Sequence, residues 1–302
     1  MADAGAFERD TAVGRLTTAR QCARDGEVAF GAEVSAGWRA GRGPHGGYVA
    51  AILLRALIEA LDDAARSPRS LTVHYPRAPT PGRVQIRVVR ERDGRSLSTL
   101  SARMEQNGAP VALALAAFSR AWGDSEMAEL PLPDVTPPDP ARGTPDVLAE
   151  RIEQGLTPQF LRHLVVQPRI GPPPFAGADG PMEVGAWVAL REPTAGLDAT
   201  VLALFSDALY SPPFVRLAQP ATSPTIDLTV HFRSDLEALT GSKELCFARF
   251  RSTLLHEGFF EEDGVIWAAD GTVLAQSRQL AILMPLGGKD DAPFAPAGGR
   301  IG

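Results

Sequence analysis

The sequence predicts an α+β architecture made twice over: a strand, a buried helix, then an antiparallel sheet that curls around the helix. Three observations carry this. The segment Gly46 to Leu61, GGYVAAILLRALIEAL, is rich in good helix formers, opens on two glycines and has no interior proline. Only Arg55 and Glu59 interrupt its apolar residues, and at i,i+4 they share one stripe, so the helix should be enclosed on nearly all sides. Second, runs with a period of two follow, separated by Asp93-Gly94 and Asn107-Gly108, dipeptides that favour hairpin turns. Third, Leu71-Thr72-Val73-His74 returns as Leu228-Thr229-Val230-His231, an offset of 157 positions.

In chain order, residues 1–10 read as a loose tail. Glu27 to Arg39 alternates in part and predicts a strand, and a turn-rich AGRGPHGG leads into the helix. Ser70 to Tyr75, Arg83 to Val88, Ser96 to Glu105 and Pro110 to Trp122 predict four strands of a meander. In the second, Val84, Ile86 and Val88 face one way and Arg83, Gln85 and Arg87 the other, giving one buried and one wet face. Prolines at 131, 133, 137, 138 and 140 mark a linker, with one short helix expected over Pro145 to Gln154. Strand-like runs resume at HLVVQPRI and EVGAWVALRE. Leu197 to Tyr210 predicts a second apolar helix, which Pro212-Pro213 should stop. Four more strands are expected at Thr225–Arg233, Glu244–Leu255, Gly258–Ala268 and Thr272–Met284, and Asp270-Gly271 answers the earlier Asn107-Gly108 turn. The organisation read from this is a first repeat over 11–122, a Pro-rich linker over 123–160, a second repeat over 161–285 and a disordered tail over 286–302.

Composition narrows the function. The chain has 302 residues with 44% hydrophobic and 22% charged, an ordinary globular balance. A net charge of −6 argues against non-specific binding to nucleic acid or anionic membranes. Arg55 cuts the first helix well short of the roughly 18 apolar residues a membrane span needs. Cys22 and Cys246 offer neither a disulfide framework nor zinc spacing, and MADAGAFERD lacks the basic start and apolar centre of a signal peptide. A soluble, cytoplasmic protein is expected.

A sheet curled around a central helix is the hotdog fold, and two such units side by side form a double hotdog. Over about residues 25–285 the chain resembles the acyl-CoA thioesterase II family, thioesterase-like proteins with that double fold. His45-Gly46-Gly47 matches the aromatic or His before Gly-Gly at the family's helix entrance. Thr225-Ile226-Asp227 fits its T-I-D motif, Ser252-Thr253 its S-T pair on the next strand, and Gln279, eight residues past Gly271, its glutamine. The resemblance implies a catalytic trio of Asp227, Thr253 and Gln279, all from the second repeat, with no metal and no covalent intermediate. Leu228 and Leu280 depart from the His and Glu the family often carries, which places the chain in a divergent branch.

Thioester hydrolysis needs a polarised water, a donor for the developing oxyanion and a slot for the substrate. Asp227 is the one base among the three, and Thr253 and Gln279 would fix the direction of its water. The positive end of a helix suits an oxyanion, and a glycine lets the substrate approach the backbone. The amide of Gly47 or Tyr48 is therefore the expected partner of the carbonyl, with Gly46 and His45 counted beside them as substrate-binding. Gln279 is the telling residue, because Ala275, Ser277 and Ala281 on its face are small and a long polar group there needs a partner. Carrying the trio back by the repeat gives Ser70, Ser96 and Ala116, without a carboxylate, so the site is expected once per chain.

Gly41 to Gly46 matches G-x-G-x-x-G, yet the next strand ends His74-Tyr75-Pro76-Arg77 without the acid a dinucleotide site needs. No G-x-S-x-G nucleophile elbow is present, and no His pair has metal-ligand spacing. Matched positions for His74 and His231 favour a structural role. Arginines at 77, 83, 87, 90, 92 and 95 could meet coenzyme A phosphates or simply face water. The expected function is an acyl-CoA thioesterase, with the acyl-CoA as a small-molecule partner, no cofactor, and homo-oligomerisation left open. The alternatives are a hotdog hydratase or dehydratase of acyl thioesters, or a non-catalytic acyl-thioester binding protein.

Overall fold

The computed structural model describes residues 5–16, 26–41, 43–123, 127–139, 144, 146–154, 157–192, 196–234 and 245–286. Cys22 and the expected tail beyond Leu286 lie outside the described residues. The elements run α1 (Ala6–Asp10), β1 (Val13–Arg15), β2 (Glu27–Val34), β3 (Arg39–Ala40), β4 (Gly43–Pro44), α2 (Gly46–Leu61), β5 (Ser67–His74), β6 (Gly82–Asp93), β7 (Leu97–Gln106) and β8 (Ala109–Ser119). They continue α3 (Asp146–Glu153), β9 (Leu164–Ile170), β10 (Met182–Leu190), α4 (Ala199–Phe205), β11 (Ala221–Thr222), β12 (Thr225–Phe232), β13 (Cys246–Ser252), β14 (Leu255–His256), β15 (Phe259–Trp267), β16 (Val273–Ile282) and β17 (Met284–Pro285).

One 13-stranded sheet follows the order β1-β2-β6-β7-β8-β5-β12-β16-β15-β13-β10-β9, with β14 added to β15. Its pairings are antiparallel, and the seam between the halves is β5 against β12. The repeated segments therefore lie on one another: Leu71 faces Val230, Thr72 faces Thr229 and Val73 faces Leu228. The two threonine hydroxyls meet across this seam at 3.0 Å. Each half wraps its own helix, and the whole is a double hotdog.

The helix α2 is buried almost all round, from Gly47 to Leu57 and at Ala60 and Leu61, with Arg55 half-buried and Ile58 and Glu59 exposed. Truncating a buried leucine such as Leu53 to alanine costs about 2–5 kcal/mol in such a setting. Arg55 is held in place: its Nε donates to Thr11 Oγ1 at 2.7 Å and its guanidinium lies 5.5 Å from the Phe7 ring. Residues 5–10, part of the expected loose tail, are thus ordered, because Phe7 is an apolar anchor buried against Trp38 at 5.8 Å. Trp38 also stacks on Tyr48 at 5.0 Å and on His163 at 4.2 Å, tying the N-terminal segment, α2 and the second half together.

The second helix differs from expectation. It ends at Phe205, seven residues before Pro212. Asp198 caps its start by accepting from the Thr200 and Val201 amides. The Pro-rich segment does more than connect: Leu132 and Val135 pack on the buried cluster of Trp187, Phe247 and Trp267. Trp267 and Trp187 donate to the Leu130 and Thr136 carbonyls, each at 2.9 Å, so this strap packs on the outer face of the sheet's second half.

Candidate active site

The start of α2 lies hard against the end of α4. A Cβ at Gly47 would fall 2.6 Å from the Leu204 carbonyl oxygen and 2.8 Å from that of Ala203. Only glycine permits this approach. It brings Asp207, the second residue past α4, onto the first turn of α2. The Gly47 amide donates to Asp207 Oδ2 at 3.0 Å.

His45 fixes the arrangement. Its Nδ1 accepts from the Tyr48 amide at 3.2 Å, which leaves the proton on Nε2, and that proton goes to the Asp207 carbonyl at 2.6 Å. The ring is 2% exposed and lies 4.1 Å from the Phe160 ring. Tyr75 completes the corner, donating from its hydroxyl to the Gly46 carbonyl at 3.0 Å. Burial pushes the Tyr75 phenol up, and the Asp207 and Asp227 charges add to it.

Across from this corner is a polar row on the inner face of the sheet. Strand alternation sets it: Leu228 and Val230 on β12 face the core, Leu228 pairs with Gln279 on β16, and Gln279 pairs with Glu262 on β15. Gln279 is 4% exposed. Its Oε1 accepts from the Thr225 hydroxyl at 3.0 Å and its Nε2 donates to Glu262 Oε1 at 2.6 Å. A bulge at Ile226 rotates Thr225 onto this face, opposite Ala281. Burial holds the Glu262 carboxyl well above the usual carboxylate range; the nearby Asp207 charge raises it further, while the bond from Gln279 opposes.

The structure thus separates the sequence-derived trio. Gln279 sits in the row. Asp227 pairs with His74 and Leu280 on the opposite face of the sheet, with the exposed His74 beside it. Thr253 is exposed past the end of β13, where its amide donates to Glu261 Oε1 at 2.6 Å and its hydroxyl bonds to the same oxygen. What the inner face brings together instead is Thr225, Gln279 and Glu262, with the Asp207 charge near enough to act on Glu262.

The helix entrance also needs correction. The Gly47 and Tyr48 amides, expected to meet a carbonyl oxygen, are taken by Asp207 and His45. The Gly46 amide is the first-turn donor left without an acceptor among the described residues. The Tyr48 side chain is a clamp, its hydroxyl donating to the Asp10 carbonyl at 2.8 Å and accepting from the Ser35 amide at 3.1 Å. Of the arginines weighed for phosphate, Arg87 pairs with Glu27 and Glu105. Arg90 pairs with Asp93 and donates to the Ala60 and Leu61 carbonyls.

Among the described residues, no group of three or more His, Cys, Asp or Glu is arranged to hold a metal ion. No described helix is long and apolar enough to cross a membrane.

The sheet order and the two enclosed helices define a class, the double-hotdog proteins. Residues 34–119 match the acyl-CoA thioesterase N-terminal domain and residues 132–283 the acyl-CoA thioesterase C-terminal domain, so the chain belongs to the acyl-CoA thioesterase family. Among solved structures it is similar to a hot dog fold protein of unknown function from Alicyclobacillus acidocaldarius, at 25% identity and a TM-score of 0.72, covering 94% of this chain and 100% of that one. It is also similar to acyl-CoA thioesterase II TesB2 from Mycobacterium marinum, at 19% identity and a TM-score of 0.68, with 94% and 100% covered. The comparison with curated proteins gave no match.

Proposed function

We propose that this chain hydrolyses acyl-CoA thioesters to free acid and coenzyme A by direct attack of water. The observation that carries the reading is the Thr225–Gln279–Glu262 row on the inner face, with Asp207 held at the start of α2 near enough for its charge to act on Glu262. Asp207 is the base. One of its oxygens is held by the Gly47 amide, which leaves the other to accept from water. The Thr225 hydroxyl gives its proton to Gln279, so its oxygen accepts one hydrogen of the water while Asp207 accepts the other. The second Nε2 hydrogen of Gln279 steadies the water oxygen.

The water oxygen bonds to the carbonyl carbon as its proton passes to Asp207. The C–S bond then breaks, and the proton leaves Asp207 for the coenzyme A thiolate. The free Gly46 amide supplies the donor for the oxyanion in between. No cofactor is required, and the acyl-CoA is the one partner invoked. The hydratase alternative finds an acid near its histidine, since Asp207 Oδ2 lies 3.4 Å from His45 Nε2. His45 is buried with both ring nitrogens committed, however, so no substrate reaches it.

The test is release of free thiol from an acyl-CoA panel, followed by a single turnover in ¹⁸O-labelled water. Direct attack puts label into the acid in the first turnover. Unlabelled acid in the first turnover means an acyl-enzyme and contradicts the mechanism. Thermal stabilisation by acyl-CoA with no thiol released points to the non-catalytic binding protein.

A further inference from the structure

The polar row runs past Gln279 into a part of the sheet that hydrolysis does not use. Arg251 on β13 pairs with Asp263 on β15, and the next step along sets Ser252 beside Glu262. Both side chains face inward, in phase with Phe250 and Ile266 of the core. Each residue is 3% exposed. Glu262 spends Oε1 on Gln279. Its Oε2, and the Ser252 Oγ on the neighbouring strand, have no hydrogen-bond partner among the described residues. Two orphaned polar atoms on one buried face are costly unless something completes them.

We propose that Ser252 and Glu262 form a subsite for an oxygen substituent on the acyl group, so that hydroxyacyl- and oxoacyl-CoA are the preferred substrates. The proposal rests on the thioesterase reading above. Distance argues for it: Ser252 lies two strand spacings from Gln279, roughly 10 Å, too far to touch a carbonyl reacting there. Depth argues for it too. The pantetheine arm must lead outward to its nucleotide, whereas both subsite residues are buried. A plain alkyl chain would leave both atoms unpaired. Burial favours the neutral form of Glu262, whose Oε2–H donates, and the serine hydroxyl donates or accepts. That pair suits an uncharged hydroxyl or carbonyl, and the neighbouring Asp207 charge disfavours a second carboxylate.

The experiment measures thiol release from hexanoyl-CoA against 3-hydroxy-, 3-oxo- and 5-hydroxyhexanoyl-CoA, with wild type and the double variant Glu262→Leu, Ser252→Ala. In wild type, kcat/KM for at least one oxygenated member should exceed that for hexanoyl-CoA by about tenfold or more. In the double variant that ratio should fall to about one; the hexanoyl rate falls as well, because Glu262→Leu also takes away the acceptor of the Gln279 amide, so the ratio and not the rate is the readout. Equal kcat/KM across the panel in wild type overturns the proposal. So does a loss in the variant that falls equally on all members, which would assign the pair to the pantetheine arm or to bound water. Affinities for the matching thioether analogues, which cannot be hydrolysed, give the same ratio without turnover. A binding preference that persists where no thiol is released would sink the hydrolase reading and leave the subsite standing.

Discussion

The two halves of the sheet share strands and register but differ in what their inner faces carry. In the second half the row reads Ser252, Glu262, Gln279, with Thr225 bonded to its end. The equivalent row of the first half can be read from the pairings. Leu71 faces Ala116 as Leu228 faces Gln279, and Leu100 faces Ala116 as Glu262 faces Gln279. Arg90 stands beside Leu100 in the place of Ser252. Leu100 and Ala116 are core residues, and Arg90 turns away to bind the last carbonyls of α2. Helix length accounts for the contrast. The 16 residues of α2 cover their sheet and close its inner face. The 7 residues of α4 stop short, and Asp207, two residues past its end, reaches the first turn of α2 with its charge acting on Glu262. Duplication has left one copy to build the core and the other to build the site.

The largest effect on this arrangement should come from Gly47→Ala, which drives a methyl into the Leu204 and Ala203 carbonyls and pries the helices apart. A loss of about 3 kcal/mol is expected, measured by urea unfolding. Next come reciprocal swaps between the rows. Gln279→Ala, giving the second half what the first has, should lower kcat about 10²-fold and cost about 2 kcal/mol, because Thr225 and Glu262 lose their partner. The reverse change, Ala116→Gln, should add no activity and destabilise by about 2 kcal/mol, since nothing in that apolar face receives an amide.

The smallest effect is on pH dependence. The unfolded chain releases the Glu262 proton near the ordinary value of about 4.3, whereas the folded chain retains it to higher pH. The unfolded state then binds fewer protons, so this group's contribution to stability is complete below that value and declines as pH rises towards the raised one. Glu262→Gln should flatten that part of the stability profile. An unchanged slope would mean that Glu262 is not held neutral.

Much of the fold was legible because its signals are local. The apolar run of α2 and the Asn107-Gly108 turn declare themselves within a few residues, and the repeat marked β5 and β12, though not that they pair with each other at the seam. The site was legible only in part. Gln279 stood out as a long polar side chain among small ones. Asp207 did not, because the expected second helix ran on to Tyr210 and made it one helical residue among many; its role depends on where α4 stops. Thr225 and Asp227 occur in the same T-I-D motif, and alternation alone cannot tell which faces in once a bulge intervenes at Ile226. Glu262 had a usable signal, a carboxylate in phase with Phe260 and Ile266 on an otherwise apolar face. The tail's anchoring was hidden because Phe7 meets Trp38 across 31 residues of chain.

The central claim is that the working carboxylate enters from the end of α4 and not from β12. It is tested most directly by kcat for thiol release from one good acyl-CoA substrate with Asp207→Asn and Asp227→Asn side by side. Loss of about 10³-fold for Asp207→Asn, with Asp227→Asn within about twofold of wild type, is the predicted result. The reverse pattern, with Asp227→Asn inactive and Asp207→Asn near wild type, would contradict it.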